Sequence, residues 1–285
     1  MLTILEAIQL SAEYLDKKGI ESPRANAELL LADILNCKRL NLYLSFDKPL
    51  SDAETVKYRE YIQRRGKFEP AQYITGKTDF YGMDFIIKPN ILIPRPETEF
   101  LIEAITGQYA KDTSFKILDI GCGSGIISVA LAKHYSNAEI TSIDINEDAL
   151  DCAAKNSEKH GVNSRISFMK IDILSDADII LLNKYDLIVS NPPYVSVEEY
   201  NTLQNEIIEF EPKNAITDFK DGYTFYKRII SIAKDKLQEN GCLCFEMCKG
   251  QSENIKKLLD ESNFTDITIV KDLQGIDRII SGKLK

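Results

Sequence analysis

The chain has no surplus of positive charge. Thirty-five Lys and Arg stand against 44 Asp and Glu, a formal net charge of −9. A protein that lives on nucleic acid neutralises phosphates with clustered cations, so this balance argues against direct nucleic-acid binding. The local exception is Lys57–Lys67, where Lys57, Arg59, Arg64, Arg65 and Lys67 face Glu60 alone. It reads first as a solvated helix face and second as a docking patch for an acidic or RNA-associated partner. Metal-type cysteine spacing is also missing. Cys37, Cys122, Cys152, Cys242, Cys244 and Cys248 contain no C-x-x-C pair. Cys242 and Cys244, two apart in an apolar run, would share one face of a strand. They read as buried thiols in a reducing compartment, and no metal is expected. No basic-then-apolar leader opens the chain, since Glu6, Glu13 and Asp16 come early. No apolar run approaches the ~20 residues that cross a bilayer. The expectation is a cytoplasmic protein with no membrane contact. Repeats and low-complexity stretches are absent too.

What is present fits an ordinary globular chain, 44% apolar and 28% charged over 285 residues. At about 100–200 residues per domain, one large or two unequal domains are expected. Residues 1–76 read as helical: apolar residues recur at helical spacing in 5–15 and 27–35. Ser22 before Pro23 reads as a helix start, and Ser51 as the cap of a third helix. Residues 77–96 change character. Strand formers Phe80, Tyr81, Phe85–Ile87 and Ile91–Ile93, punctuated by Gly82 and Pro89-Asn90, read as a short hairpin linker.

Residues 97–285 alternate. Strands are expected at 115–120, 138–143, 166–170, 185–190 and 242–247, with helices at 125–135, 147–160 and 222–237. That alternation implies an α/β domain with a parallel sheet covered by helices on both faces. Ligands then bind beyond the carboxyl ends of the strands.

Two segments carry chemistry. The first strand runs into Gly121-Cys122-Gly123-Ser124-Gly125 and a helix. Glycines there permit a tight turn and close approach of a ligand to the backbone. A dinucleotide fingerprint would need a glycine where Ile126 stands, so a dinucleotide is the second choice behind a cofactor without pyrophosphate. Asp144, at the end of the next strand, suits a pair of ribose hydroxyls, and its competing reading is a helix cap. Asp172, closing the third strand, can face an adenine amine. The fourth strand ends in Asn191-Pro192-Pro193-Tyr194. The prolines stiffen the turn and hold Asn191 extended. Asn191 offers a carbonyl acceptor, Pro192 a backbone carbonyl, and Tyr194 a flat face and a hydroxyl. Two acceptors can orient the N–H groups of a planar amide or aromatic amine, whose delocalised lone pair makes it a poor nucleophile, and stabilise the positive charge that develops on methyl transfer.

Together these segments resemble an amino-methyltransferase of the Rossmann-like class. Others narrow the resemblance: Ser22-Pro23-Arg24, Glu69-Pro70, Gln72–Gly76, Phe80-Tyr81-Gly82, Leu92–Glu99, Glu211-Pro212, Asp221-Gly222, Phe225-Tyr226, Asp272-Leu273 and Asp277-Arg278. Over nearly the whole chain this is similar to the HemK family, the peptide chain release factor glutamine N5-methyltransferases. The resemblance implies an N-terminal helical substrate-recognition domain, a β-hairpin, and a seven-stranded methyltransferase domain with an antiparallel final hairpin. It implies S-adenosyl-L-methionine as cofactor, held by Gly121, Cys122, Gly123, Ser124, Gly125, Asp144, Asp172, Ile173, Asn191 and a cofactor-adjacent Arg95. It implies Asn191, Pro192, Pro193 and Tyr194 as the methyl-transfer site and class I release factors, methylated at the Gly-Gly-Gln glutamine, as substrates. A monomer is the separate expectation. Two positions depart from the pattern. Cys248 stands where the family more often has glycine, and Ile173 where some members carry an aromatic. The alternatives are a glutamine methyltransferase acting on a ribosomal protein, an adenine N6-methyltransferase of DNA or RNA that flips its base, and a binding module without turnover.

Overall fold

A computed structural model describes residues 2–285. The chain divides into two compact units, residues 1–77 with 204–210, and residues 78–203 with 211–285.

The first unit is helical, with helices Ile4–Lys17, Pro23–Ile34, Arg39–Leu42, Asp52–Arg65 and Ala71–Thr75. Ile4, Ile8, Leu15, Leu30, Leu31 and Ile62 build its core. Thr3 with Glu6, and Ser51 with Glu54, form reciprocal capping boxes at two helix starts. Ser22 does precede Pro23 in the first turn of its helix, but its backbone is left-handed (φ 49°) and its side chain makes no cap. Glu28 is fully buried and accepts from Arg24, Arg39 and the Tyr43 hydroxyl. Burial pushes its carboxyl up, yet those hydrogen bonds outweigh it and hold the carboxyl below its ordinary value.

Of the basic run at 57–67, Lys57, Arg59 and Lys67 stay exposed, while two arginines are engaged. Arg65 is only 5% exposed, donating to Asn26 and paired with Glu206 from the returning helix Asn205–Phe210. Arg64 is held by Glu69 through two hydrogen bonds.

The second unit opens with strands β1 (Lys77–Phe80, whose first residue still belongs to the first unit) and β2 (Met83–Ile86), paired in a two-stranded sheet. The expected linker is not a separate body: residues 78–96 belong to this unit, because Phe80 and Phe85 sit in its core. Ile91 and Ile93 are buried without joining a strand.

Seven strands follow: β3 (Lys116–Ile120), β4 (Glu139–Asp144), β5 (Ile166–Lys170), β6 (Tyr185–Ser190), β7 (Leu237–Glu246), β8 (Phe264–Lys271) and β9 (Asp277–Leu284). They form one sheet in the order β5-β4-β3-β6-β7-β9-β8. The first five are parallel, and β9 runs antiparallel to both β7 and β8.

Alternating side chains feed two cores. Ile117, Leu187, Val189, Cys242 and Cys244 face the helices Thr98–Thr106 and Ile126–His134. Leu118, Ile188, Leu243 and Phe245 face the helices Thr224–Lys236 and Ser252–Glu261. All six cysteines are free thiols. Among the described residues no helix is long and apolar enough to cross a membrane.

One buried side chain ties the hairpin to the rest of the unit. Asn156, in helix Glu147–Lys159, accepts from the Ile86 N–H at 2.7 Å and donates to the Ile86 and Ser124 carbonyls at 2.9 Å. Asn156→Ala strands these backbone groups, and we predict a loss of roughly 2–4 kcal/mol in denaturant unfolding. A loss below about 0.5 kcal/mol, the range of an ordinary surface change, would show that the tie is not structural.

Candidate active site

The strand order reverses around β3. From there the chain steps outward to β4 and β5 on one side and to β6 and β7 on the other. Ile120 and Ser190 are register partners on neighbouring strands, so the residues that follow each leave the sheet side by side. One exit leads into Gly121–Gly125 and the other into Asn191–Tyr194. Such a switch point opens a crevice beyond the strand ends. Here a cavity of about 420 Å³ occupies it, lined by segments of the second unit.

The glycine loop is fastened to the end of β4. Gly121 and Cys122 donate to the Ile143 carbonyl at 2.8 and 3.0 Å. Gly123 N–H donates to Asp144 Oδ2 at 2.9 Å, and Asn146 N–H to Asp144 Oδ1 at the same distance. Burial pushes the Asp144 carboxyl up from its ordinary value, against hydrogen bonds from the Asn146, Gly123 and Ile145 backbone. Asp144 is not the helix cap. Asn146 is, accepting from Asp148 N–H.

Gly121, Cys122, Gly123, Ser124, Asp144, Asp172, Ile173 and Arg95 all line the cavity. At Gly121 and Gly123 an added Cβ would meet open space on the cavity side. Gly125 is different. It does not line the cavity, and an added Cβ would lie 2.7 Å from the Ala153 Cβ, so this glycine lets two helices pack. Asp172 lies two residues past the end of β5 rather than within it, and accepts from the Leu174 N–H. Arg95 pairs with Glu211 at 2.6 Å, and Glu211 also accepts from the Ile93 N–H.

Asn191, Pro192 and Pro193 line the cavity as well. Asn191 Nδ2 donates to Thr98 Oγ1 at 3.2 Å, an orientation that leaves the amide carbonyl as the unused end. Tyr194 is not among the lining residues. Its ring is drawn back because its hydroxyl donates to Glu246 Oε1 at 3.1 Å, and burial pushes that hydroxyl well above its ordinary value. The turn is braced further by Gln251, which donates to the Tyr194 carbonyl at 3.0 Å. Gly222 approaches so closely that an added Cβ would sit 2.4 Å from that same carbonyl oxygen.

Several residues escaped the sequence reading. Thr98 sits inside the Leu92–Glu99 segment, which was noted as a motif but not as the partner of Asn191. Asp218 accepts from the Lys220, Gly222 and Thr224 N–H groups at 2.8–2.9 Å. Burial pushes its carboxyl up, but these bonds outweigh it and hold it below its ordinary value. They shape a rim on which Phe219 stands exposed with a left-handed backbone (φ 60°). No local sequence signal marks that rim, because non-glycine residues rarely take this backbone.

The apolar lining from Ile120, Ile126, Ile143, Ile171, Ile173 and Phe225, set against a few converging polar groups, is the usual composition of a small-molecule site. An adenosine moiety fits this donor set. The glycine backbone admits close approach, each Asp144 oxygen keeps a lone pair for a hydroxyl, and the isoleucines suit a flat ring.

Residues 6–76 match the PrmC N-terminal domain family and residues 96–215 the Methyltransferase small domain family. The release factor glutamine methyltransferase of Fusobacterium nucleatum is 38% identical over 280 residues, covering 98% of this chain and 78% of its own. That of Geobacter sulfurreducens is 36% identical over 282 residues, covering 99% and 97%. That of Bacillus subtilis is 36% identical over 286 residues, covering 98% and 97%. Among solved structures the fold is similar to the hMettl16 catalytic domain, with TM-score 0.56, 18% identity and coverage of 82% and 83%. It is also similar to a T. thermophilus 16S rRNA methyltransferase in complex with AdoMet and guanosine, with TM-score 0.52, 16% identity and coverage of 73% and 50%.

Gly125→Ala should cost on the order of 2–4 kcal/mol in thermal or urea unfolding, through the left-handed backbone (φ 80°) and the contact with Ala153. Adding Ala153→Gly should recover only the steric part. Full recovery would show that backbone conformation contributes nothing there.

Proposed function

Because the chain belongs to the release factor glutamine methyltransferase family, we propose that it methylates the side-chain nitrogen (N5) of the Gly-Gly-Gln glutamine in class I peptide chain release factors, with S-adenosyl-L-methionine as donor. The observation that carries the proposal is the convergence of Gly121–Gly123, Asp144 and Asn191-Pro192 on one cavity from neighbouring strands. The match to a neighbour solved with AdoMet supports the cofactor.

The glycine loop and Asp144 would hold the ribose and amino-acid ends of the cofactor, Asp172 and Ile173 the adenine, and Arg95 would stand beside it. When bound, the cofactor supplies an electrophilic methyl carbon on a sulfonium. Asn191 Oδ1 and the Pro192 carbonyl accept the two N–H groups of the glutamine side chain. Hydrogen bonds in the amide plane would leave the nitrogen's out-of-plane electrons free to meet the methyl group that the cofactor would supply. Taking up the methyl group would put positive charge on the glutamine nitrogen. The same two acceptors would stabilise it. One N–H proton then leaves to solvent, so no base is needed beforehand. Tyr194 anchors the turn from behind rather than contributing to the cavity wall.

The helical unit is the proposed recognition domain for the release factor. A direct nucleic-acid role is disfavoured by the burial of Arg65 and the pairing of Arg64, which break up the single basic run. A release-factor substrate implies a cytoplasmic location.

The test is transfer of label from S-adenosylmethionine to a release factor, run beside a release factor whose Gly-Gly-Gln glutamine is changed to alanine. Label is expected on the first alone, falling by about 100-fold or more with Asn191→Ala enzyme. Label on neither would sink the assignment and turn attention to a ribosomal protein, then to adenine in nucleic acid.

A further inference from the structure

Among the described residues of the second unit, Phe219 is the only phenylalanine or tyrosine that stands exposed. It lines the cavity, and its backbone is left-handed (φ 60°). A bulky residue keeps that backbone only where its surroundings over-determine it, and such positions gather at functional sites. Phe219 N–H donates to Thr217 Oγ1 at 3.1 Å. The buried Asp218 carboxylate gathers the Lys220, Gly222 and Thr224 N–H groups. Lys213 Nζ stands over the ring, 5.6 Å from its centroid. The turn is therefore built to hold an apolar ring, 54% exposed, at the cavity in spite of backbone strain.

The segment that carries Phe219 is laced to the chain just past the Asn-Pro-Pro-Tyr turn. Val195 N–H donates to the Ile216 carbonyl and Val197 N–H to the Lys220 carbonyl, both at 3.0 Å. Val195 and Thr217 also pair as an isolated parallel bridge. Phe219 falls between those two attachments in sequence, beside the turn where the acceptor amide would be held. A glutamine brings little length to that turn. Four bonds of about 1.5 Å separate its Cα from its amide nitrogen, a reach of roughly 5 Å. With the amide on Asn191 and Pro192, the backbone of the substrate must itself come down to the cavity mouth. The residue next to the glutamine then meets what stands on the rim beside the turn.

We propose that Phe219 is a specificity-determining residue: its ring lies on the peptide backbone of the glycine that precedes the acceptor glutamine, and excludes a larger residue from that position. The inference rests on the Gly-Gly-Gln reading of the substrate. Glycine has no side chain, so its peptide planes can approach an aromatic face closely. A Cβ on the preceding residue would have to share that space with the ring. An aromatic side chain suits the task, since it offers a broad, rigid apolar face with only two torsions to freeze on binding. The supported, left-handed backbone fixes where that face stands before the substrate arrives, so little ordering is left for the binding step.

The test compares two release factors as substrates of the full-length enzyme at saturating S-adenosylmethionine. One carries Gly-Gly-Gln, and the other has its second glycine changed to alanine. Wild-type kcat/KM is expected to be about tenfold or more lower on the alanine substrate. Phe219→Gly removes the ring and takes the left-handed backbone freely. It should raise KM for the native substrate about tenfold, with kcat and cofactor affinity nearly unchanged, and shrink the preference for glycine to about threefold or less. Phe219→Tyr keeps the ring and should keep the wild-type preference. Both substrates meet the same enzyme preparation, so the preference does not depend on how much of a variant folds. A Phe219→Gly enzyme with the wild-type preference overturns the inference, as does a Phe219→Tyr enzyme that has lost it. A loss carried by cofactor affinity would make Phe219 part of the cofactor wall and overturns it too. A wild-type enzyme that labels no release factor sinks the substrate assignment together with this inference, whereas labelling without preference for glycine sinks the inference alone.

Discussion

Ser190 Oγ donates to the Ile120 carbonyl at 2.8 Å, across the last rung between β6 and β3. Both strands are buried along their length, and this bond closes the ladder where each backbone turns away from the sheet. Everything that converges on the cavity depends on that junction. The glycine loop starts one residue after Ile120 and the Asn-Pro-Pro-Tyr turn one residue after Ser190. A slip of one residue between the strands would reverse the facing of every side chain on the slipped strand and break the pairing of the two loops. The apolar alternation of Ile117, Leu118, Leu187, Ile188 and Val189 into opposite cores resists such a slip.

The second constraint is polar. Each loop is fixed by side chains from a different part of the sequence. Asp144 holds Gly123, Asn156 holds Ser124, Thr98 holds Asn191, and Gln251 holds the Tyr194 carbonyl. Reacting groups must be held to within a fraction of an ångström to gain from proximity, and loops gain that precision only from such supporting contacts. In this light Gly222 belongs to the site although it touches no ligand-facing surface, since any side chain there would displace the Tyr194 backbone.

This division explains what the sequence made legible. Strand β6 is found at 185–190, because an apolar run bounded by polar residues declares a buried parallel strand. Asp144 and Asn191 were legible because one ends a strand and the other directly follows one. The supporting partners were not, because their meaning lies in pairings far apart in sequence: Thr98 with Asn191, Glu211 with Arg95, Glu206 with Arg65. The return of 205–210 to the helical unit, a short segment inside the later half of the chain, left no compositional mark either. Tyr194 shows a partner far away in sequence holding a side chain: its hydroxyl is bound by Glu246 behind the turn.

Two buried acids stand behind the two loops, and they pull stability and chemistry in opposite directions. Asp119, fully buried on β3 below the glycine loop, accepts from Ser128 and keeps an unpartnered Oδ1, as Glu246 keeps an unpartnered Oε2. Burial pushes both carboxyls up to about 7. In the unfolded chain each would ionise near its ordinary value, so between roughly pH 4 and 7 the folded state holds protons that the unfolded state has lost. Stability then falls as pH rises through that window, and above it both charges sit buried without a counter-ion. An apolar residue at either position would remove that loss. At Glu246 it would also remove the acceptor that holds the Tyr194 hydroxyl behind the turn. Both acids therefore cost stability as pH rises while standing directly behind the loops that line the cavity, a conflict expected where a site is built for chemistry rather than for stability.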